Sequence, residues 1–177
     1  QTSGHGDFRN IWELPGEAGS LSRAEQLGAA ALADGRDAVL RATREQLMRG
    51  ASQIKLVAGG GVSSAFDPLD VTEFLFEEIE AAVLAAADWG TYVCAHVYTP
   101  TGIQRCLKAG VKSIEHGQLA DEDTVKMMAD SGAVWSIQPF VEALASGGLT
   151  PEMVEKARVM WDGTDTAYQM AIKHGVP

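Results

Sequence analysis

Four times along this chain a stretch of helical periodicity stops at a glycine and gives way to a short run rich in β-branched and aromatic residues. Between Arg36 and Arg49 the apolar positions Ala38, Val39, Ala42 and Leu47 lie near one face, and Gly50 ends the stretch. Gln53-Ile54-Lys55-Leu56-Val57 follows as a predicted strand. The next helix runs from about Glu73 to Asp88 before Gly90, and Thr91 to Val97 reads as a strand. A third helix opens at Thr99-Pro100 and ends at Gly110, with a strand from Val111 to Glu115. Asp121 to Ser131, closed by Gly132, precedes a strand over Ala133 to Gln138. Thr150-Pro151-Glu152 places a cap before a proline at the first helical position, which opens a last helix reaching about Lys173. Strands and helices alternating in this way build parallel β/α units. The units differ in length, so no short sequence repeat underlies them.

Composition narrows the class. At 177 residues and 46% apolar content the chain suits a single domain and excludes collagen, coiled coil and disorder. Its formal charge of −10, without any basic block, would repel a phosphate backbone, so nucleic acid is not an expected partner. The most apolar stretch, Phe74 to Ala87, is broken by Glu77, Glu78 and Glu80, so no membrane span is expected. Cys94 and Cys106 form neither a disulfide framework nor a C-x-x-C pair, which leaves both a cytoplasmic and an exported location open. The chain opens at Gln1 without a methionine and closes just after the turn-like His174-Gly175-Val176. We read residues 1–177 as one internal segment of a larger unit.

In parallel sheets, ligands bind at the carboxyl ends of the strands. Three ionisable residues recur there, one β/α unit apart each time: Lys55 inside an otherwise apolar strand, His96 near the end of the next, and His116 ending the third. Alternation puts His96 on the face of Tyr92 and Cys94, with Val93, Ala95 and Val97 facing the helices. Taken singly, each has an ordinary structural explanation: an ion-paired lysine, or a hydrogen-bonded core histidine that Glu115 could orient. Burying all three without a purpose would cost about 2 kcal/mol or more apiece. Neutral imidazole is a preferred zinc ligand, and a lysine becomes one only as a carbamate.

Gln1-Thr2-Ser3-Gly4-His5-Gly6-Asp7-Phe8-Arg9, Gln53-Ile54-Lys55-Leu56 with Gly60-Gly61-Val62, Ala95-His96-Val97-Tyr98-Thr99-Pro100 and Ser113-Ile114-Glu115-His116-Gly117 resemble, in order, motifs of the metal-dependent amidohydrolase superfamily. The resemblance is strongest to its imidazolonepropionase-like branch, which includes Xaa-Pro dipeptidases and arginine carboxypeptidases. It implies an α/β fold, a partial (β/α)8 TIM-type barrel covering about strands 3 to 7 and lacking strands 1, 2 and 8. It also implies two divalent metal ions, zinc foremost, with Lys55 as the carboxylated bridging ligand and His96 and His116 on the second metal. A metal-bridging hydroxide would then hydrolyse a peptide-like amide bond in a dipeptide or N-acyl amino acid. His5 and Tyr98 would hold the substrate carboxylate or stabilise the oxyanion. The family's His-x-His pair would precede Gln1 and its catalytic aspartate would follow Pro177, so the segment alone is expected to be inactive. Gly163-Thr164-Asp165 matches the aspartate pattern only by letters, inside the helical stretch Arg158–Met170.

Other features have competing readings. The glycine-rich loop Ala58 to Ser64 could cradle a phosphate with its amides, which keeps a phosphate-binding barrel acting on a sugar or nucleotide as an alternative. A non-catalytic partial barrel is a third reading, and its open sheet edges favour assembly into a homo-oligomer. Leu75 stands where the family has a serine cap, so a weak helix start is expected. Cys94 is expected in the core and His174 on the surface. The run Trp135 to Phe140 lines either a substrate pocket or the barrel core.

Overall fold

The computed structural model describes residues 1–6, 21–64, 67–139 and 150–177. Their elements run α1 (Arg23–Gln26), α2 (Arg36–Met48), β1 (Ile54–Val57), α3 (Phe76–Asp88), β2 (Val93–Val97), α4 (Pro100–Ala109), β3 (Ser113–His116), α5 (Glu122–Ser131), β4 (Val134–Ser136) and α6 (Pro151–His174). Helix α1 has no counterpart in the sequence reading, because four residues are too few to display a period. Its signal was a capping box: the Ser22 hydroxyl accepts from the Glu25 amide, and the Glu25 carboxylate accepts from the Ser22 amide.

The four strands form one parallel sheet in the order β1-β2-β3-β4. Leu56, Ala95, Ile114 and Trp135 lie side by side in register, as do Val57, His96, Glu115 and Ser136. Each helix from α2 to α6 packs on the next. A sheet that adds every strand beside its predecessor, with helices following in the same order, is a stretch of (β/α)8 barrel. The expected partial barrel is therefore the fold. The first register row is buried with Ile79, Ala82, Ile103, Val125 and Met128 in the main core. Each isoleucine, valine and methionine among them contributes about 1.5–3 kcal/mol. The opposite face carries Lys55, His96 and Glu115, which keep more contact with solvent.

The ends of the elements depart from the sequence reading where local hydrogen bonding decides. Strand β4 covers three residues instead of six, because the Ile137 amide folds back to the Trp135 carbonyl. Helix α3 starts at Phe76, with Leu75 offering no side-chain cap and the Glu78 carboxylate accepting from the Leu75 amide at 2.7 Å. Gly163-Thr164-Asp165 lies inside α6, where the Thr164 hydroxyl donates to the Met160 carbonyl. His174 is not a surface residue as expected. Its side chain is 15% exposed, and Nε2 stands 3.2 Å from the Glu122 carboxylate, because the last turn of α6 packs on the first turn of α5. Trp89 is exposed and Trp161 packs beside Tyr98 and Met160, whereas Asp7, Phe8, Arg9, Trp12 and Phe140 lie outside the described residues. Among the described residues no helix is long and apolar enough to cross a membrane.

Candidate functional site

His96 and His116 come together at the carboxyl ends of β2 and β3, with ring centroids 4.7 Å apart and planes at 73°. They arrive differently. His96 follows the strand alternation, while Ala95 and Val97 on either side are fully buried. On β3, Ile114 is buried, Glu115 is on the open face, and regular alternation would turn His116 back towards the core with its register partner Val97. His116 instead has φ +70°, the only positive φ outside glycine among the described residues. That left-handed residue costs about 1–3 kcal/mol and redirects the ring to His96.

The two imidazoles are prepared as lone-pair donors. The Nε2 of His96 lies 2.8 Å from the Gly60 carbonyl oxygen. A carbonyl only accepts, so Nε2 carries the hydrogen, and Nδ1 is the nitrogen of this ring that could bind a metal. Gly60 must be glycine, since a Cβ there would overlap the Pro68 carbonyl. Burial, aided by the nearby His96 and Lys55, pulls the pKa of His116 down to about 3, so this ring is neutral at ordinary pH. Two imidazoles at adjacent strand ends fit one side of a divalent-metal site.

Lys55 reaches the same face from β1. Its Nζ lies 3.8 Å from Glu115 Oε2, with the lysine side chain 43% exposed and the glutamate 24%. Glu115 also accepts from the Ser113 hydroxyl at 2.7 Å. An ammonium in that position is no metal ligand, whereas a carbamate on the same nitrogen would be. No three His, Cys, Asp or Glu side chains among the described residues converge to hold a metal by themselves.

Tyr98 and His5 close over the histidines. The Tyr98 ring centroid is 4.9 Å from that of His96 and 5.4 Å from that of His116, and His5 stands 6.1 Å from His96. Both are almost fully buried, at 2% and 1% exposure. The structure therefore gathers His5, His96, Tyr98 and His116 into one aromatic cluster, with Lys55 and Glu115 beside it.

Sequence reasoning missed two charged residues that build the loop above this cluster. Asp67, itself buried, accepts from the Gly61 amide at 2.9 Å, the Gly6 amide at 3.0 Å and the Ser64 hydroxyl, and faces His5 Nε2 at 3.6 Å. Burial raises its pKa, but the hydrogen bonds from Ser64, Gly61 and Gly6 outweigh that and hold the carboxyl below its ordinary value. Lys156 on α6 donates to the carbonyls of Gly61, Ser64 and Asp67 at 3.2, 2.7 and 2.6 Å. The only sequence signal was an acidic residue before Pro68 in a loop. The amide of Gly61, one of those in the loop that could have met a phosphate, is taken by the chain's own carboxylate. Cys94 is a core residue: its Sγ points at the Ile54 carbonyl, and burial raises the thiol pKa. Trp135 is buried in the core. A cavity between β1 and α2, walled by Ala30, Val39, Ala42 and Ile54, includes none of the clustered rings.

Residues 12–163 match the model of the Amidohydrolase family. This chain belongs to that family. Ochratoxinase of Aspergillus niger is 39% identical over 185 residues, covering 99% of this chain and 38% of the relative. The chain thus spans well under half the length of the curated relatives it matches. The crystal structure of a prolidase complexed with N-methylphosphonate-L-proline superposes with a TM-score of 0.85 at 35% identity, covering 99% of this chain and 44% of that one. A Xaa-Pro dipeptidase with methionine bound in its active site gives 0.79 at 27% identity, covering 99% and 43%.

Proposed function

We propose that the protein to which this chain belongs hydrolyses an amide C–N bond adjacent to a carboxylate, in a dipeptide or N-acyl amino acid, with the help of two divalent metals, zinc foremost. The observation carrying this reading is the pairing of two imidazoles, His96 and His116, at neighbouring parallel strand ends beneath Tyr98 and His5. Similarity to an ochratoxinase and a prolidase supports amide hydrolysis as the reaction class.

His96, through Nδ1, and His116 would hold a metal ion, and Lys55, carboxylated at Nζ, would bridge to a second. Divalent metals, when bound, supply an activated water and the positive charge that polarises the amide carbonyl. The Gly60 carbonyl fixes the His96 tautomer, in the way outer hydrogen bonds orient metal-binding histidines. Tyr98 and His5 enclose the substrate, exclude water from the scissile bond, and bind its carboxylate or the developing oxyanion. In this reading the substrate is a small molecule, neither nucleic acid nor membrane is a partner, and the protein is a homo-oligomer.

The test is metal analysis of the whole protein together with assays on a panel of Xaa-Pro dipeptides and N-acyl amino acids. Turnover that disappears on chelation and returns with zinc is expected. A metal-loaded protein that cleaves no member of the panel, or one whose turnover survives complete metal removal, overturns the reading.

A further inference from the structure

We propose that Asp67 is a positioning residue for the substrate-binding side of the site, acting through His5; this rests on the amide-hydrolase reading above. Asp67 is 4% exposed, and an unpaired carboxylate there would cost several kcal/mol. Its donors come from separate segments, Gly6 on the first loop and Gly61 and Ser64 on the loop after β1. Both of its oxygens accept from the chain, Oδ1 from Gly6 and Ser64 and Oδ2 from Gly61, and Oδ2 also directs its negative charge at His5 Nε2, 3.6 Å away. At that distance the carboxylate acts on the buried imidazole through its charge, which favours a ring orientation with an N–H turned toward Asp67.

The same loop is held from the other side by Lys156, whose three N–H groups meet three carbonyls. Gly60, next to the Gly61 amide bound by Asp67, provides the carbonyl against His96. One carboxylate therefore faces His5 and lies one peptide from the group that orients His96. Because His5 sits on the substrate side, loss of the charge should appear in substrate binding more than in metal content.

The experiment is a double-mutant cycle in the whole metal-loaded enzyme, with Asp67→Asn, His5→Asn and the pair assayed on a Xaa-Pro dipeptide. Each single change should raise KM about tenfold or more, and the pair should be no more than about twofold worse than His5→Asn alone. An unchanged KM in Asp67→Asn, or effects that multiply in the pair, overturns the proposal, since a mere loop brace would act independently of His5. Should Asp67→Asn fail to fold, Ser64→Ala removes one donor and leaves the charge. It should raise KM by a smaller factor, again only when His5 is present, and an unaltered KM overturns the proposal. A wild-type enzyme that cleaves no dipeptide or N-acyl amino acid sinks the functional reading instead. The positioning role is then decided by the 15N shifts of the His5 ring, which should move in Asp67→Asn and which overturn the role if they stay fixed.

Discussion

The indole Nε1 of Trp135 donates to the main-chain carbonyl of His116 across 2.7 Å, so a core side chain of β4 holds the end of β3 in its left-handed turn. The next residue, Gly117, has φ +72°, and a Cβ there would overlap the same indole nitrogen. Gly175 has a similar φ of +66° with open space around it. Gly175→Ala should therefore lose only the backbone strain, about 1 kcal/mol, and Gly117→Ala about 2–4 kcal/mol because the indole must also move. Thermal unfolding of both variants checks this. Equal losses would show that Trp135 yields without cost.

His96 and His116 should each be needed for metal. Replacing either with asparagine is expected to weaken metal affinity at least about 100-fold and to lower turnover in parallel. Asparagine also tolerates the left-handed backbone of position 116, so this change tests the ring and not the turn. Metal titration of the whole protein gives the answer, and affinity unaltered in both variants would remove these residues from the site.

Lys55→Ala separates a structural from a metal-binding lysine. The Lys55–Glu115 pair is well exposed on the lysine side, so its loss should change stability by less than about 1 kcal/mol. Metal occupancy should nevertheless fall together with turnover. If both survive, Lys55 does not bridge metals.

The metal-free protein should weaken on mild acidification. His116 has a folded pKa near 3 against an ordinary value of 6.5, so between these limits the unfolded chain binds the extra proton. Its contribution is complete above about pH 6.5 and is lost as pH falls, with a limiting slope of about 1.4 kcal/mol per pH unit. Unfolding midpoints of wild type and His116→Asn should converge between about pH 7 and about pH 4. Parallel curves would mean that His116 does not resist protonation.

Local signals were easy to read in the sequence. Gly110 and Gly132 each end a helix in the left-handed conformation, so the glycine stops gave the units in their right order, and Thr150-Pro151 opened α6 as written. His96 was legible because it obeys alternation. His116 was legible only as a motif: period-two reasoning alone sends its ring into the core, and no local pattern announces a left-handed residue. Asp67 and Lys156 were invisible for a different reason. Each looks like a solvated surface charge in sequence, and their meaning comes from contacts to Gly6 and Gly61 made across long stretches of chain. Strand β4 was read too long because a hydrophobic run says nothing about where the backbone turns away.

The shared carboxylate of Asp67 also bears on how such a site can be altered. Residues 1–6 and the loop after β1 each donate to it, and neither makes these bonds alone. Grafting one of these loops from a relative would leave a donor or an acceptor stranded at the seam. On the proposed amide-hydrolase reading, a change of substrate therefore calls for exchanging both loops as one cassette.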